Sequence, residues 1–172
     1  MHRPASRSIP FFYRLFFLYI EPASTILGAY YAYFQPQIYL ELTHASSAPS
    51  SSETIPTGTK VVLSQLANLY LLFTLNEGLV LRCTSDVRVW KTLLFGLLVA
   101  DLGHLHSVSP LGLSIYWTFW TWNAIDWGNI GFVYLGALTR VSFLIYSSKN
   151  KVDDKDKRLT TPSEFEIAKR RR

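Results

Sequence analysis

Nine polar residues stand inside runs of otherwise apolar sequence: Glu21, Asn68, Asn76, Glu77, Asp101, His104, Asn123, Asp126 and Asn129. A carboxyl group in a low-dielectric setting holds its proton more tightly than one in water. Two nearby acids in different environments are a common arrangement for acid–base work. Glu21 and Asp101 are therefore read as candidate proton donors. His104, one helical turn beyond Asp101 on the same face, is read as the group that tunes or relays the proton. Asp126, in the stretch WNAIDWGNIGFVYLGALTR, is a fourth catalytic candidate. Asn123 and Asn129 with Trp122 and Trp127 would form the substrate-binding wall, because aromatic faces stabilise cations. Such a setting suits carbocation chemistry on an isoprenoid or sterol-like lipid.

The elements that must carry these residues are helices. Four apolar blocks, at 11–34, 61–81, 90–108 and 115–146, alternate with polar segments. A bilayer core of ~30 Å takes about 20 apolar residues as helix. The expected fold is all-α, a four-helix transmembrane bundle. A soluble bundle of buried helices is the competing reading, and these blocks barely show the polar stripe it would need. Lys and Arg gather before the first block, between the second and third, and after the fourth. The positive-inside rule then places both termini in the cytoplasm. Residues 1–10 form a short cytoplasmic N-terminus, 35–60 a lumenal loop, and 147–172 a charged, disordered cytoplasmic tail. The first block is longer than a cleaved signal core and contains Arg14, Glu21 and Pro22, so it reads as a retained helix. The terminal KRRR is a positive anchor, an attractor of anionic lipid heads, or a retrieval address for the endoplasmic reticulum. That membrane, or another endomembrane, is the expected location.

Helical rise sorts the buried charges by depth. Arg14, Glu77 and Arg140 come out roughly 5–9 Å from the cytoplasmic boundary. They are expected to form a structural ion cluster, since breaking one partner would strand a buried charge. Glu21 and Asp101 come out about 15 Å in, and no basic residue in any helix is expected at their level. A lone Cys83 allows no internal disulfide and reads as an inert or palmitoylated thiol. No N-x-[ST] acceptor, phosphate loop, metal-ligand spacing or nucleophile elbow occurs. Neither a cofactor, a metal nor nucleic acid is expected. The expected partners are membrane lipid or a small isoprenoid or sterol-like ligand, with a homo-oligomer or a membrane enzyme as protein partner.

FFLYIEP, QLANLYLLFTLNEGLVLR, VWKTLLFGLLVADLGHLHS and WNAIDWGNIGFVYLGALTR resemble an uncharacterised family of small four-helix membrane proteins of filamentous fungi. The likeness covers roughly residues 11 to 146 and implies no activity. A looser one is to the small membrane-bound terpene cyclases of fungal meroterpenoid pathways, in which an acid protonates an epoxide or alkene and aromatic residues hold the cation. A third is to the sterol-isomerase and sigma-2-receptor-like four-helix group, which also uses membrane-embedded acids. Two function classes follow. One is an acid-initiated cyclase or isomerase of an isoprenoid or sterol-like lipid. The other is a non-catalytic lipid-binding or scaffold protein whose buried polar residues join helices. A transporter ranks third, since no inverted repeat is visible.

Overall fold

The computed structural model describes residues 9–50 and 53–160, and the described chain is helical with no strand. Four long helical runs dominate. The first covers 11–34 and consists of α1 (Phe11–Leu15), a π-helical turn (Phe16–Ile20) and α2 (Glu21–Phe34). A short α3 (Pro36–Thr43) follows. The second long run is α4 (Thr57–Leu75), continued by a π turn (Asn76–Val80) and a 3-10 turn (Leu81–Cys83). The third is α5 (Val87–Ser107), opened by Asp86, whose side chain accepts from the Arg88 backbone N–H at 2.7 Å. The fourth comprises α6 (Ala124–Asp126), a π turn (Trp127–Gly131) and α7 (Phe132–Thr160).

Three expected boundaries need correction. The loop 35–60 is not all loop, because Pro36 starts α3 with a fixed φ suited to a first helical turn. The fourth run begins at Ala124, not 115; residues 113–121 make 3-10 turns after Gly112, whose φ of +97° only glycine adopts readily. The last helix continues to Thr160, so a disordered tail from 147 is not what the backbone shows. Residues 1–8 of the N-terminus and 161–172 of the tail lie outside the described residues. Among those described, Val87–Leu111 and Ala124–Lys149 are long and apolar enough to cross a membrane, two of the four segments expected to do so.

Neighbouring runs are antiparallel, as their pairings show. A Cβ at Gly28 would meet the Tyr70 ring, Thr25 Oγ1 lies 2.8 Å from Thr74 Oγ1, and Gly78 faces Pro22. On the other side Lys91 donates to Ser148 and Asp101 reaches Arg140. So α2 packs along α4, and α5 along α7. Two apolar clusters close the structure at its ends. One holds Phe16, Phe17, Trp90, Leu94 and Phe143; the other is built from Ala29, Ala32, Tyr39, Leu63 and Ala67. Small alanines in the second let the backbones of α2 and α4 approach closely.

The π turns have an identifiable cause in the first run. A proline at 22 cannot donate to the carbonyl four residues back and would clash with it in a regular helix. The freed Leu18 carbonyl accepts instead from Arg82 Nη2 at 3.2 Å, and the Arg82 guanidinium lies over the Tyr19 ring. π turns cluster at functional sites. Here all three adjoin or contain an acid: Glu21 follows the first, Glu77 is inside the second, and Asp126 precedes the third.

Candidate functional site

Between the two apolar clusters lies a cation surrounded by acids. Arg140, on α7, is buried to 3% exposure and forks to three carboxyl groups from three other helical runs. Its Nη2 donates to Glu21 Oε1 at 2.5 Å and to Glu77 Oε1 at 2.9 Å, while Nη1 donates to Asp101 Oδ2 at 2.7 Å. A planar guanidinium suits this role because its donors are fixed in a fork that a point ammonium lacks. Gly136, one turn before Arg140, makes the space. A Cβ there would lie 2.8 Å from Arg140 Nη1 and 3.2 Å from Glu21 Oε1. The ring of Phe17 covers the guanidinium at 5.7 Å.

This arrangement overturns the cluster expected from depth. Arg14 is exposed and takes no part; Glu77 and Arg140 do pair, but with Glu21 and Asp101 as the further members. The two mid-depth acids are thus not without a cation. The reason is side-chain direction. Every Cα–Cβ bond tilts toward the N-terminus of its helix, so in antiparallel runs Arg140 and Glu77 lean one way and Glu21 and Asp101 lean the other. The two layers meet. Arg14, on the same run as Glu21, leans away from them.

A cavity of about 740 Å³ opens beside the cluster, between the α2–α4 pair and the α5–α7 pair. Glu21, Asp101, His104 and Arg140 all line it, together with Trp127 and Asn129. The proposed proton donors and the relay histidine therefore share one space. Glu77 stays behind them, fully buried. Much of the remaining wall is apolar, including Phe73, Leu97, Phe132 and Val133. Among the large apolar lining residues, Leu27, Ile38, Trp127 and Leu135 are exposed. Among the described residues, buried Glu21 Oε2, Glu77 Oε2, His104 Nε2 and Arg140 Nε find no hydrogen-bond partner.

Asp126 and Asn123 do something else. Asn123 Oδ1 accepts from the backbone N–H groups of Ile125 and Asp126, and Asp126 Oδ2 accepts from Asn123 N at 3.0 Å. This reciprocal pair is a capping box, which satisfies the otherwise orphaned donors at a helix start. Asn123 Nδ2 also donates to the Leu42 carbonyl at 2.6 Å, tying α3 to the start of the fourth run. The acid in the oily stretch begins a helix, and neither residue lines the cavity. The structure gives Asp126 and Asn123, expected in catalytic and substrate-binding roles, this capping role away from the cavity. Trp122 is likewise a buttress: its Nε1 donates to the Ile115 carbonyl, and its ring packs edge-on to Trp127 at 5.0 Å.

Two tyrosines were not singled out by sequence reasoning. Tyr70, also on the cavity wall, shares a hydroxyl contact with Tyr39 at 3.3 Å and donates to Asn129 Oδ1 at 3.5 Å. In the run QLANLYLLF an aromatic residue carries no mark that separates it from core. Among the described residues no group of three or more His, Cys, Asp or Glu is placed to hold a metal ion.

An all-helical protein with an acid–arginine cluster at the edge of a largely apolar cavity is the class these features define. The chain belongs to the family described as Domain of unknown function (DUF7704), whose model matches residues 6–148. No curated protein matches the chain, and no solved structure matches it.

Proposed function

We propose that this chain is a multi-pass integral membrane protein whose helices bind an isoprenoid or sterol-like lipid and carry out acid-initiated isomerisation or cyclisation on it. The observation that carries the reading is the convergence of Glu21, Asp101 and His104 on one apolar cavity. Its volume of about 740 Å³ is within the usual range for small-molecule sites.

The membrane part rests on where apolar surface is exposed. In the best window of Val87–Leu111 only 11% is buried, and in that of Ala124–Lys149 only 33%. A core helix of a soluble protein would be mostly covered, so this exposure supports helices that face an apolar solvent. Trp117, Phe119 and Trp120 are exposed together beyond the end of α5, in the manner of an interfacial aromatic belt. The four long runs would then all span, with both termini in the cytoplasm and the endoplasmic reticulum as the natural compartment. The apolar mouth of the cavity would open sideways, toward lipid.

The chemistry rests on charge balance. Three carboxyl groups face one guanidinium, so the cluster is neutral only when two protons are held among them. The proposal places one of them on Asp101, the least covered of the three and a residue of the cavity wall. In the proposed step its O–H proton adds to an alkene carbon, forming a C–H bond and leaving a carbocation on the neighbouring carbon. An internal π bond closes on that cation in a cyclisation. Loss of a proton from the adjacent carbon to His104 then forms the product alkene, and His104 returns the proton to Asp101. Composition is unchanged and no co-reactant is needed. Tyr31 and Trp127 offer aromatic faces to the cation.

One observation favours a non-catalytic lipid-binding protein: every acid of the cluster is hydrogen-bonded to Arg140, as helix-to-helix glue would be. Asp101→Asn separates the two, because the amide oxygen still accepts from Arg140 while the acidic proton is gone. Small lipids co-purifying in mild detergent are compared by mass spectrometry between wild type and variant. An isoprenoid or sterol held by the variant but converted by the wild type, with turnover down at least about a hundredfold, is the expected result. The same ligand unchanged in both establishes the binding protein, and bulk phospholipid alone removes the cavity's role.

A further inference from the structure

The cavity has a second polar pole. Tyr39, Tyr70 and Asn129 form a chain of side-chain contacts, Tyr39 hydroxyl to Tyr70 hydroxyl to Asn129 Oδ1, and all three line the wall. With the Tyr70 proton on Asn129, Tyr39 is the donor of their contact, and the Tyr70 oxygen keeps one further lone pair as an acceptor. Asn129 uses only its oxygen; among the described residues its amide nitrogen has no protein partner. Two N–H donors and a hydroxyl oxygen are thus left beside the cavity. His104 stands at the same level, beside the Asn129 backbone.

The register of three runs fixes how far this pole lies from the acids. Tyr70 precedes Glu77 by seven residues on α4's run, and Gly28, against the Tyr70 ring, follows Glu21 by seven on α2. Asn129 precedes Gly136, over which the Arg140 guanidinium lies, by seven again. Seven residues of helix measure about 10 Å. The wall between is apolar where it counts: Phe73, Phe132, Val133 and Leu135. Ser24 and Thr25 also face this stretch, yet their hydroxyls are bonded to the Glu21 carbonyl and, for Thr25, to Thr74.

We infer that the ligand is an oxygen-terminated hydrocarbon: a hydroxyl or carbonyl oxygen accepts from Asn129 Nδ2, a hydroxyl also donates to Tyr70, and the hydrocarbon body runs about 10 Å toward Asp101. This deepens the proposed function and rests on its reading of the cavity. Tyr70 and Asn129 are the specificity-determining residues, and they hold the end of the molecule that does not react. A site with free donors rejects an analogue lacking the matching oxygen, because those donors lose water without gaining a partner.

The test uses the full-length protein in mild detergent and two matched pairs of probes: farnesol with farnesene, and cholesterol with cholest-5-ene. Binding is measured by competition and by native mass spectrometry. The oxygenated member of at least one pair is expected to bind about tenfold or more tightly than its hydrocarbon. Tyr70→Phe and Asn129→Leu should each reduce that preference, weakening the oxygenated probe and, for Asn129→Leu, strengthening the hydrocarbon, because the donors it would leave unpaired are gone. Equal affinity for both members of every pair that binds overturns the inference and leaves the cavity reading standing. Preference retained in both variants overturns the assignment to Tyr70 and Asn129. Binding of none of the four probes overturns the inference together with the isoprenoid or sterol reading of the cavity.

Discussion

Arg140 is the residue on which four helical runs depend. Removing it leaves three carboxyl groups buried around an apolar gap, and stranding buried partners in this way costs about 3–5 kcal/mol. Arg140→Met is therefore expected to lower thermal stability in detergent sharply and to reduce recovered protein. Arg140→Lys should recover little, because one ammonium cannot serve carboxyl groups on both faces of a fork. A melting series that places the lysine variant at wild-type stability would show that charge alone holds the cluster. Glu21, Asp101 and His104 were legible as a polar set from their placement in apolar sequence. Their shared cation was not, because depth along a helix axis ignores a side chain that reaches back by a turn.

At the scale of the helix, the decisive features are places where regular geometry gives way. Pro22 frees a carbonyl that Arg82 takes up, and the π turn beside it ends at Glu21. Gly136 gives the guanidinium its bed on α7. Gly136→Ala adds one methyl group 2.8 Å from Arg140 Nη1, and overpacking of this kind costs about 1–3 kcal/mol. The variant should fold, melt earlier and, under the proposed function, lose the turnover assigned to Asp101 as the fork is pushed off its carboxyls. Gly103→Ala, where a Cβ meets nothing within 4 Å, is the matched control and should leave both readouts near wild type. Equal effects of the two alanines would remove the close-approach argument. From sequence, both glycines allow close helix contacts equally well; only the neighbours across the gap distinguish them.

For the whole molecule, the prediction concerns sides of a membrane. Cys83, the single cysteine, is exposed at the end of the second long run. In the proposed arrangement of four spanning runs with cytoplasmic termini, it would face the cytoplasm. An impermeant maleimide should label it after selective permeabilisation of the plasma membrane. Glu53→Cys in a Cys83→Ser background should label only after the endomembrane is opened as well. Labelling of both positions from the same side would reduce the number of crossings between them to zero or two, and the four-span arrangement would fall.

Composition and pattern determined that this chain is helical and where its long runs lie, because apolar blocks of bilayer length leave few other ways to satisfy the backbone. They also marked Glu21, Asp101 and His104 as residues needing an explanation. Tertiary structure alone decided what each polar residue does. Asp126 looked like Asp101 in sequence, an acid among oily neighbours, yet local backbone donors claim it as a cap while a distant guanidinium claims the other. The difference is one of partners up to 119 residues apart. Antiparallel packing brings them within reach by leaning the side chains of opposed helices toward one another.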